Sequence, residues 1–162
     1  MTWNKNSTKQ SSIWGGPWTE TKLEAFSKYV WSYLAIMKKN PYWKTIYFDG
    51  FAGSGTREEQ MNPKLMQQLE ISVEEEKTYK GAAERVLSIE GLSFDYYYFI
   101  DKDELSIKKL QDKLGDKYNN KSIEFRSGDA NQQLLNLANA LKTKNYSALV
   151  FLDPFGMQIN WN

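Results

Sequence analysis

The sequence predicts an α/β fold with a parallel sheet. Four β-rich apolar runs alternate with stretches of helical periodicity, and the runs end at or just before an aspartate (Asp49, Asp101, Asp129 and Asp153). Strands that alternate with helices are typical of parallel sheets. In such sheets ligands bind at the carboxyl ends of the strands, so four acids there indicate a binding site. Taken singly, Asp101 and Asp129 also suit helix N-caps.

The first strand, Thr45 to Asp49, runs into a segment with three glycines in six residues, Gly50, Gly53 and Gly55. Glycines allow tight turns and a close approach of a ligand to the backbone. A phosphate-binding P-loop would need lysine at position 56, where this chain has Thr56. The order of glycines also differs from the G-x-G-x-x-G pattern of dinucleotide-binding folds, which disfavours a nucleotide-dependent oxidoreductase.

Composition excludes several kinds of chemistry. The chain has 162 residues, enough for one domain with a core, and its net charge is +1. It contains no cysteine and no histidine, so disulfides, Cys/His zinc sites, cysteine nucleophiles and imidazole bases are excluded. The sequence shows no apolar run long enough to span a bilayer and no signal peptide. We therefore expect a cytoplasmic protein with no membrane association.

The N-terminal part is expected to be a polar arm and turn over residues 1–18, followed by a leading helical region over residues 19–40. Thr19 is a plausible N-cap, and apolar residues at helical spacing predict an amphipathic helix over 20–38 that Asn40 and Pro41 end. Lys22, in the first turn, either reaches a ligand carboxylate or is solvated. A charged loop insertion over residues 56–80 follows the glycines and is either a lid or a disordered insertion.

The remaining elements continue the alternation. We expect a helix over 81–89, strands over 94–101, 122–126 and 147–152, and helices opened by Asp103 and by Asn131. The first of these two helices should bury Leu105, Leu110 and Leu114. The second should bury one face, formed by Leu134, Leu137, Ala138 and Leu141.

S-adenosylmethionine fits the acidic strand ends better than a phosphate-bearing nucleotide does. It has no phosphates but carries an ammonium, a sulfonium and a ribose, so a carboxylate beside the glycine loop suits it and would repel a pyrophosphate. Carboxylate oxygens are also good acceptors for the two hydroxyls of a ribose.

Several ordered motifs together resemble the class I S-adenosylmethionine-dependent methyltransferases, and within them the three-Cys-motif partner (TcmP) family. The motifs cover residues 14–161: Trp18 to Tyr33 with Lys22 inside, Tyr47 to Gly55, Gly81-Ala82-Ala83, Phe99-Ile100-Asp101, Gly128-Asp129 and Asp153-Pro154-Phe155-Gly156. The resemblance implies a Rossmann-like three-layer sandwich in residues 19–162, with strand order beginning 3-2-1-4. It also implies a partner protein with a three-cysteine motif.

The resemblance also assigns roles to the site residues. Gly53, Ser54 and Gly55 would wrap the methionine part and ribose of S-adenosylmethionine, and Asp49 would face its amino group. Asp101 would bind the ribose hydroxyls, and Asp129 the adenine amine with Ala130 against the ring. The implied cofactor-binding set is Lys22, Asp49, Gly50, Phe51, Ala52, Gly53, Ser54, Gly55, Asp101, Lys102, Asp129, Ala130 and Asp153.

Asp153-Pro154-Phe155-Gly156 resembles the Asp-Pro-Pro-Tyr signature of methyltransferases that act on amino groups of bases. By that likeness Asp153, Pro154 and Phe155 would be catalytic, and the acceptor would be an amino group of a nucleic acid base. Phe155 and Gly156 depart from the adenine-specific pattern, which leaves the base open. The alternative function is a catalytically inactive cofactor-binding or scaffold module that acts with a partner protein.

The chain ends soon after the fourth strand. Further strands follow at this point in the class I fold, so we expect an N-terminal part of a longer domain, with the outer edge of the fourth strand unpaired. We expect such a part by itself to bind the cofactor weakly and to catalyse poorly or not at all. Such an edge favours self-association or a partner.

Overall fold

Four parallel strands form the sheet in the computed structural model, which describes residues 17–55 and 80–153. They are β1 (Lys44–Asp49), β2 (Tyr96–Asp101), β3 (Ile123–Ser127) and β4 (Tyr146–Phe151). Their order is β3-β2-β1-β4, and every neighbouring pair is parallel. The predicted α/β class, the parallel sheet and the order 3-2-1-4 are therefore confirmed for the described residues. Each observed strand lies within two residues of its predicted limits.

Helices connect the strands and precede them. They are α1 (Pro17–Lys38), α2 (Ala82–Leu87), α3 (Glu104–Leu114) and α4 (Ala130–Leu141). Because α1 begins at Pro17, the prediction that Thr19 is its N-cap is wrong: proline's fixed φ and missing N–H suit the first helical position.

Aspartates cap the two helices that follow β2 and β3. Asp103 caps α3 and accepts a hydrogen bond from the backbone N–H of Ser106 (3.2 Å). Asp129 caps α4 and accepts from the N–H of Gln132 (3.1 Å). Asp129 thus takes the predicted N-cap position, and α4 begins at Ala130 rather than Asn131. Asp101 is not a cap, since two residues separate it from α3.

The core lies on the sheet face that carries Tyr47, Tyr97 and Phe99. Side chains alternate along a strand, so these three rings point to one side, where α1, α2 and α3 cover them. The helical core residues are Val30 and Leu34 of α1, Ala83, Val86 and Leu87 of α2, and Ile107, Leu110 and Leu114 of α3.

The opposite face carries Ile46, Phe48 and Ile100, all buried. Helix α4 lies on this side, because Arg126, which is paired with Ile100 in the ladder, donates a hydrogen bond to Gln133 of α4 (3.0 Å). Helices therefore cover both faces, and the described part of the chain has three layers.

Two of the predicted helix faces need correction. Leu105 is 68% exposed, because it lies five residues before Leu110, on the other side of α3. In α4 only Ala130 is fully buried. Ala138 is exposed, and Leu134, Leu137 and Leu141 are half-buried, because this helix makes few contacts with the sheet.

Strand β4 is at the edge of the sheet and pairs with β1 alone within the described residues. Val150 of this strand is 40% exposed. The predicted unpaired edge is confirmed for this part of the chain. Within residues 17–55 and 80–153, no helix has the length and apolar character needed to cross a membrane.

Candidate functional site at the carboxyl edge of the sheet

The four predicted acids lie at one edge of the sheet. Asp49 and Asp101 are the last residues of β1 and β2, while Asp129 and Asp153 follow β3 and β4 by two residues. All four strands run in the same direction, so their carboxyl ends meet there. The surroundings of the acids differ: Asp49 is buried, Asp101 is half-buried, and Asp129 and Asp153 are exposed.

Asp49 is buried at the base of the site, with only 1% of its surface exposed. Burial, together with the smaller effect of the negative charges of Asp153 and Asp101, raises the pKa of its carboxyl from 3.8 to about 7. A hydrogen bond from the N–H of Phe51 to Oδ1 (3.1 Å) acts in the opposite direction. Tyr47 precedes Asp49 on the same sheet face, and its buried hydroxyl has no hydrogen-bond partner among the described residues. The carboxyl of Asp49 is therefore partly protonated at physiological pH.

Asp101 fastens the glycine loop to β2. Its Oδ2 accepts from the N–H of Gly53 (2.9 Å), and its Oδ1 accepts from the N–H of Asp103 (2.8 Å). The N–H of Ala52 also donates to the carbonyl of Ile100 (2.9 Å). A carboxylate can accept about four hydrogen bonds, so Asp101 keeps acceptor capacity for a ligand.

The loop turns at two glycines with left-handed backbone conformations, Gly53 (φ 66°) and Gly55 (φ 72°). Among the described residues, a Cβ at Gly53 would meet nothing within 4 Å, so this side of the loop leaves room for a ligand there. A Cβ at Gly55 would lie 2.8 Å from Cδ1 of Leu110 in the core. Ser54, between them, is buried.

A lysine from α3 holds the end of the loop. Lys113 Nζ donates to the carbonyl of Gly55 (2.7 Å) and lies 3.7 Å from Oε2 of Glu84 in α2. Glu84 is 6% exposed and also accepts from Lys117 Nζ (2.7 Å). Lys113 thus connects the glycine loop to α2. Lys113 was not predicted as a site residue, because its contact with Gly55 joins positions 58 residues apart and no local pattern marks it.

A cavity of about 340 Å³ lies beside the loop. Its lining residues are Gly50, Phe51, Lys102, Gly128, Asp129, Ala130 and Asn131. Five of them belong to the predicted cofactor-binding set. The other two were not predicted to bind the cofactor: Asn131 was expected to open the helix, and Gly128 was part of a motif. Both come shortly after β3, and this position in the sequence could have linked them to the site.

The elements beside this cavity pack closely around Gly50. A Cβ there would lie 2.7 Å from Cδ2 of Leu152 and 3.3 Å from Cβ of Ala130. A Cβ at position 50 would therefore require the Leu152 side chain to move and would press on the start of α4.

Lys22 and Asp153 meet across the site, 131 residues apart in the chain. Lys22 Nζ is 2.8 Å from Oδ1 and 2.9 Å from Oδ2 of Asp153, and both side chains are about half exposed. Lys22, which was expected either to reach a ligand carboxylate or to be solvated, thus contacts a carboxylate of the protein itself. Pro154 and Phe155, like the N-terminal arm up to residue 16 and the loop insertion up to residue 79, lie outside the described residues.

We expect the Gly55→Ala substitution to lower the free energy of unfolding by about 2–3 kcal/mol. A left-handed conformation costs a non-glycine residue about 1–2 kcal/mol, and the methyl group must also displace Leu110. Urea denaturation measures the effect. Gly91→Ala is the matched control, because Gly91 has φ 76° but a Cβ there would meet no atom of the described part of the chain within 4 Å. Equal losses in the two variants would show that the contact with Leu110 is unimportant.

No protein-family model, curated protein or solved structure gives a significant match to this chain. What the protein does is therefore inferred from its own residues.

Proposed function

We propose that this chain is an S-adenosylmethionine-dependent methyltransferase domain whose acceptor is an amino group of a nucleic acid base. The observation that carries the proposal is the cavity at the carboxyl edge, bounded by the glycine loop after β1 and by the residues that follow β2 and β3. Open α/β sheets bind nucleoside-type ligands at this place.

The residues at the carboxyl edge suit this cofactor. Asp101 and Gly53 do not line the cavity themselves, but Asp101 has acceptor capacity for ribose hydroxyls, and Gly53 leaves the loop backbone open. Asp129 borders the cavity with Ala130, as an acceptor for the adenine amine and a flat apolar contact for its ring. The cofactor, when bound, supplies a methyl group activated by a sulfonium.

Asp49 adds an electrostatic argument. Its burial beside two further acids favours the neutral carboxyl. A cationic ligand group next to it would favour the ionised form and so gain binding energy, whereas a phosphate would keep the carboxyl neutral and gain no such energy. Lys102 also borders the cavity, and its positive charge would favour a phosphate-bearing ligand. The test therefore includes phosphate-bearing ligands as competitors.

We expect S-adenosylhomocysteine to raise the melting temperature of the protein by several degrees, since a ligand at 100 times its Kd stabilises by about 2.7 kcal/mol. Asp101→Asn should weaken binding roughly 10- to 100-fold, because hydrogen bonds to charged groups contribute about 1.5–3 kcal/mol. Calorimetry gives the affinities. Asp116→Asn, an exposed acid in the turn after α3, is the control.

Competing ligands decide between the classes of function. Stabilisation by NAD, NADP or ATP without stabilisation by S-adenosylhomocysteine would contradict the proposal. Since Asp101 also anchors Gly53, each variant is compared with its own ligand-free melting temperature, which separates lost affinity from lost loop structure.

A further inference from the structure

Two segments lie side by side at the amino end of the sheet, opposite the cavity. Residues 38–44 lead from α1 into β1, and residues 142–146 lead from α4 into β4. The N–H of Lys44 donates to the carbonyl of Asn145 (3.0 Å), and the Asn145 side chain donates to the carbonyl of Tyr42. Together with Tyr96, at the start of β2, these segments form what we name the amino-end surface.

Apart from Tyr96, which follows Asp95, the amino-end surface lies in two stretches of the chain that have lysines but no acids. No Asp or Glu occurs between Glu24 and Asp49 or between Asp129 and Asp153, and these two stretches carry six lysines. Because the net charge of the whole chain is +1, the residues outside these two stretches carry a net charge of −5. The lysines of the surface are Lys38, Lys39, Lys44, Lys142 and Lys144. Within residues 17–55 and 80–153, the one ion pair that reaches them joins Lys44 to Asp95 (3.9 Å).

Exposed aromatic rings stand among these lysines. Tyr42 is 69% exposed, Trp43 43% and Tyr96 38%. The rings of Tyr42 and Trp43 meet edge to face at 5.3 Å. The rings of Tyr96 and Tyr146 meet in the same way at 6.2 Å, across β1, and Lys144 Nζ lies 6.0 Å from the ring of Tyr146.

Helix stability alone does not explain this composition. Lys38 is in the last turn of α1, and Lys142 caps α4, where a positive charge favours the helix dipole. One lysine in each helix would serve that purpose. Exposed tyrosine and tryptophan rings contribute nothing to it, and their exposure to water is unfavourable.

We propose that the amino-end surface binds single-stranded nucleic acid. Lysines neutralise phosphates, and exposed aromatic rings stack on unpaired bases. An acidic protein segment would also be attracted by the lysines, but it has no flat bases to stack on Tyr42 and Trp43. Six-residue strands separate this surface from the cavity by about 20 Å, so binding here needs neither the cofactor nor methyl transfer.

The first test is binding without cofactor. Fluorescence anisotropy is measured with labelled oligouridylate and oligothymidylate of about 12 nucleotides, within the range of single-strand sites. We expect binding that weakens steeply as salt rises from about 50 to 200 mM. Lys44→Ala with Lys144→Ala should weaken it roughly tenfold at low salt. Lys108→Ala with Lys109→Ala removes the same charge from α3, outside the amino-end surface, and should have little effect.

The second test separates stacking from charge. Trp43→Ala should weaken binding about 5- to 10-fold, and Trp43→Phe should retain most of the affinity, because phenylalanine also stacks. Absence of binding at low salt, or equal losses for the two lysine pairs, would overturn the proposal. The proposal would also be overturned if oligoglutamate competed as well as oligouridylate and Trp43→Ala had no effect, since the surface would then bind acidic polypeptides. None of these outcomes depends on whether S-adenosylhomocysteine binds the cavity.

Discussion

Asp49→Asn is expected to make the protein more stable at pH 8, by up to about 4 kcal/mol. The native state raises the pKa of Asp49 from 3.8 to about 7, mainly by burying the carboxyl. Between these values the native state binds a proton that the unfolded chain does not, so the contribution of Asp49 to stability falls as pH rises and is lost above about pH 7. Asparagine is neutral throughout this range, and its side-chain oxygen still accepts from the N–H of Phe51.

Urea denaturation between pH 5 and pH 8 measures this effect as the difference between the wild type and the variant. Other acids titrate in both proteins, and the subtraction removes their contribution. The difference should be about 1.6 kcal/mol at pH 5 and grow to its full size of about 4 kcal/mol at pH 8. Asp116→Asn, at an exposed position, should leave the pH dependence unchanged. Parallel curves for the wild type and Asp49→Asn would show that the buried carboxyl is ionised in the native state at pH 5 as well.

The same substitution bears on the proposed function. If Asp49 faces the ammonium of the cofactor, Asp49→Asn gains stability and loses affinity for S-adenosylhomocysteine. A stabilising substitution that weakens ligand binding is the signature of a strained functional site. A gain in stability with unchanged affinity would assign Asp49 to the fold and remove it from the cofactor site.

Asp153→Ala is expected to lower methyl transfer by a factor of about 100 or more while the protein stays folded and binds S-adenosylhomocysteine almost normally. The proposed role of Asp153 is to accept a hydrogen bond from the acceptor amine, and positioned groups of this kind typically contribute about 10²–10⁴-fold. Stability should hardly change, because both partners of the Lys22–Asp153 pair are about half exposed and such pairs contribute at most about 1 kcal/mol.

Lys22→Ala is the matched control for this experiment. It breaks the same ion pair but keeps the carboxylate of Asp153. We expect Lys22→Ala to weaken cofactor binding but to retain most of the methyl transfer at saturating cofactor. Asp153→Ala should retain cofactor binding and lose methyl transfer. Transfer of labelled methyl groups from the cofactor to RNA and to DNA gives the activity. Undiminished transfer by Asp153→Ala would remove this residue from the mechanism. An intact cofactor site without any transfer in the wild type would favour the scaffold function.

Local sequence signals determined much of the fold. Strand runs bounded by turn residues predicted β1 to β4 to within two residues, and the aspartates after β2 and β3 marked the starts of α3 and α4. The alternation of strands and helices determined that the sheet is parallel, and hence that the four acids share an edge. These features depend on propensity, capping and periodicity, which act over a few neighbouring residues.

Tertiary structure alone decided how each site residue is surrounded. Local sequence marked Asp129 as a possible helix N-cap, but it did not show that Asp49 is buried with a pKa of about 7. The contacts of Lys22 with Asp153 and of Lys113 with Gly55 join residues 131 and 58 positions apart. Likewise, the lysines before β1 and β4 form one surface only because these two strands lie side by side. Burial and long-range contacts depend on strand order and on which sheet face each helix covers, and no short stretch of sequence encodes these.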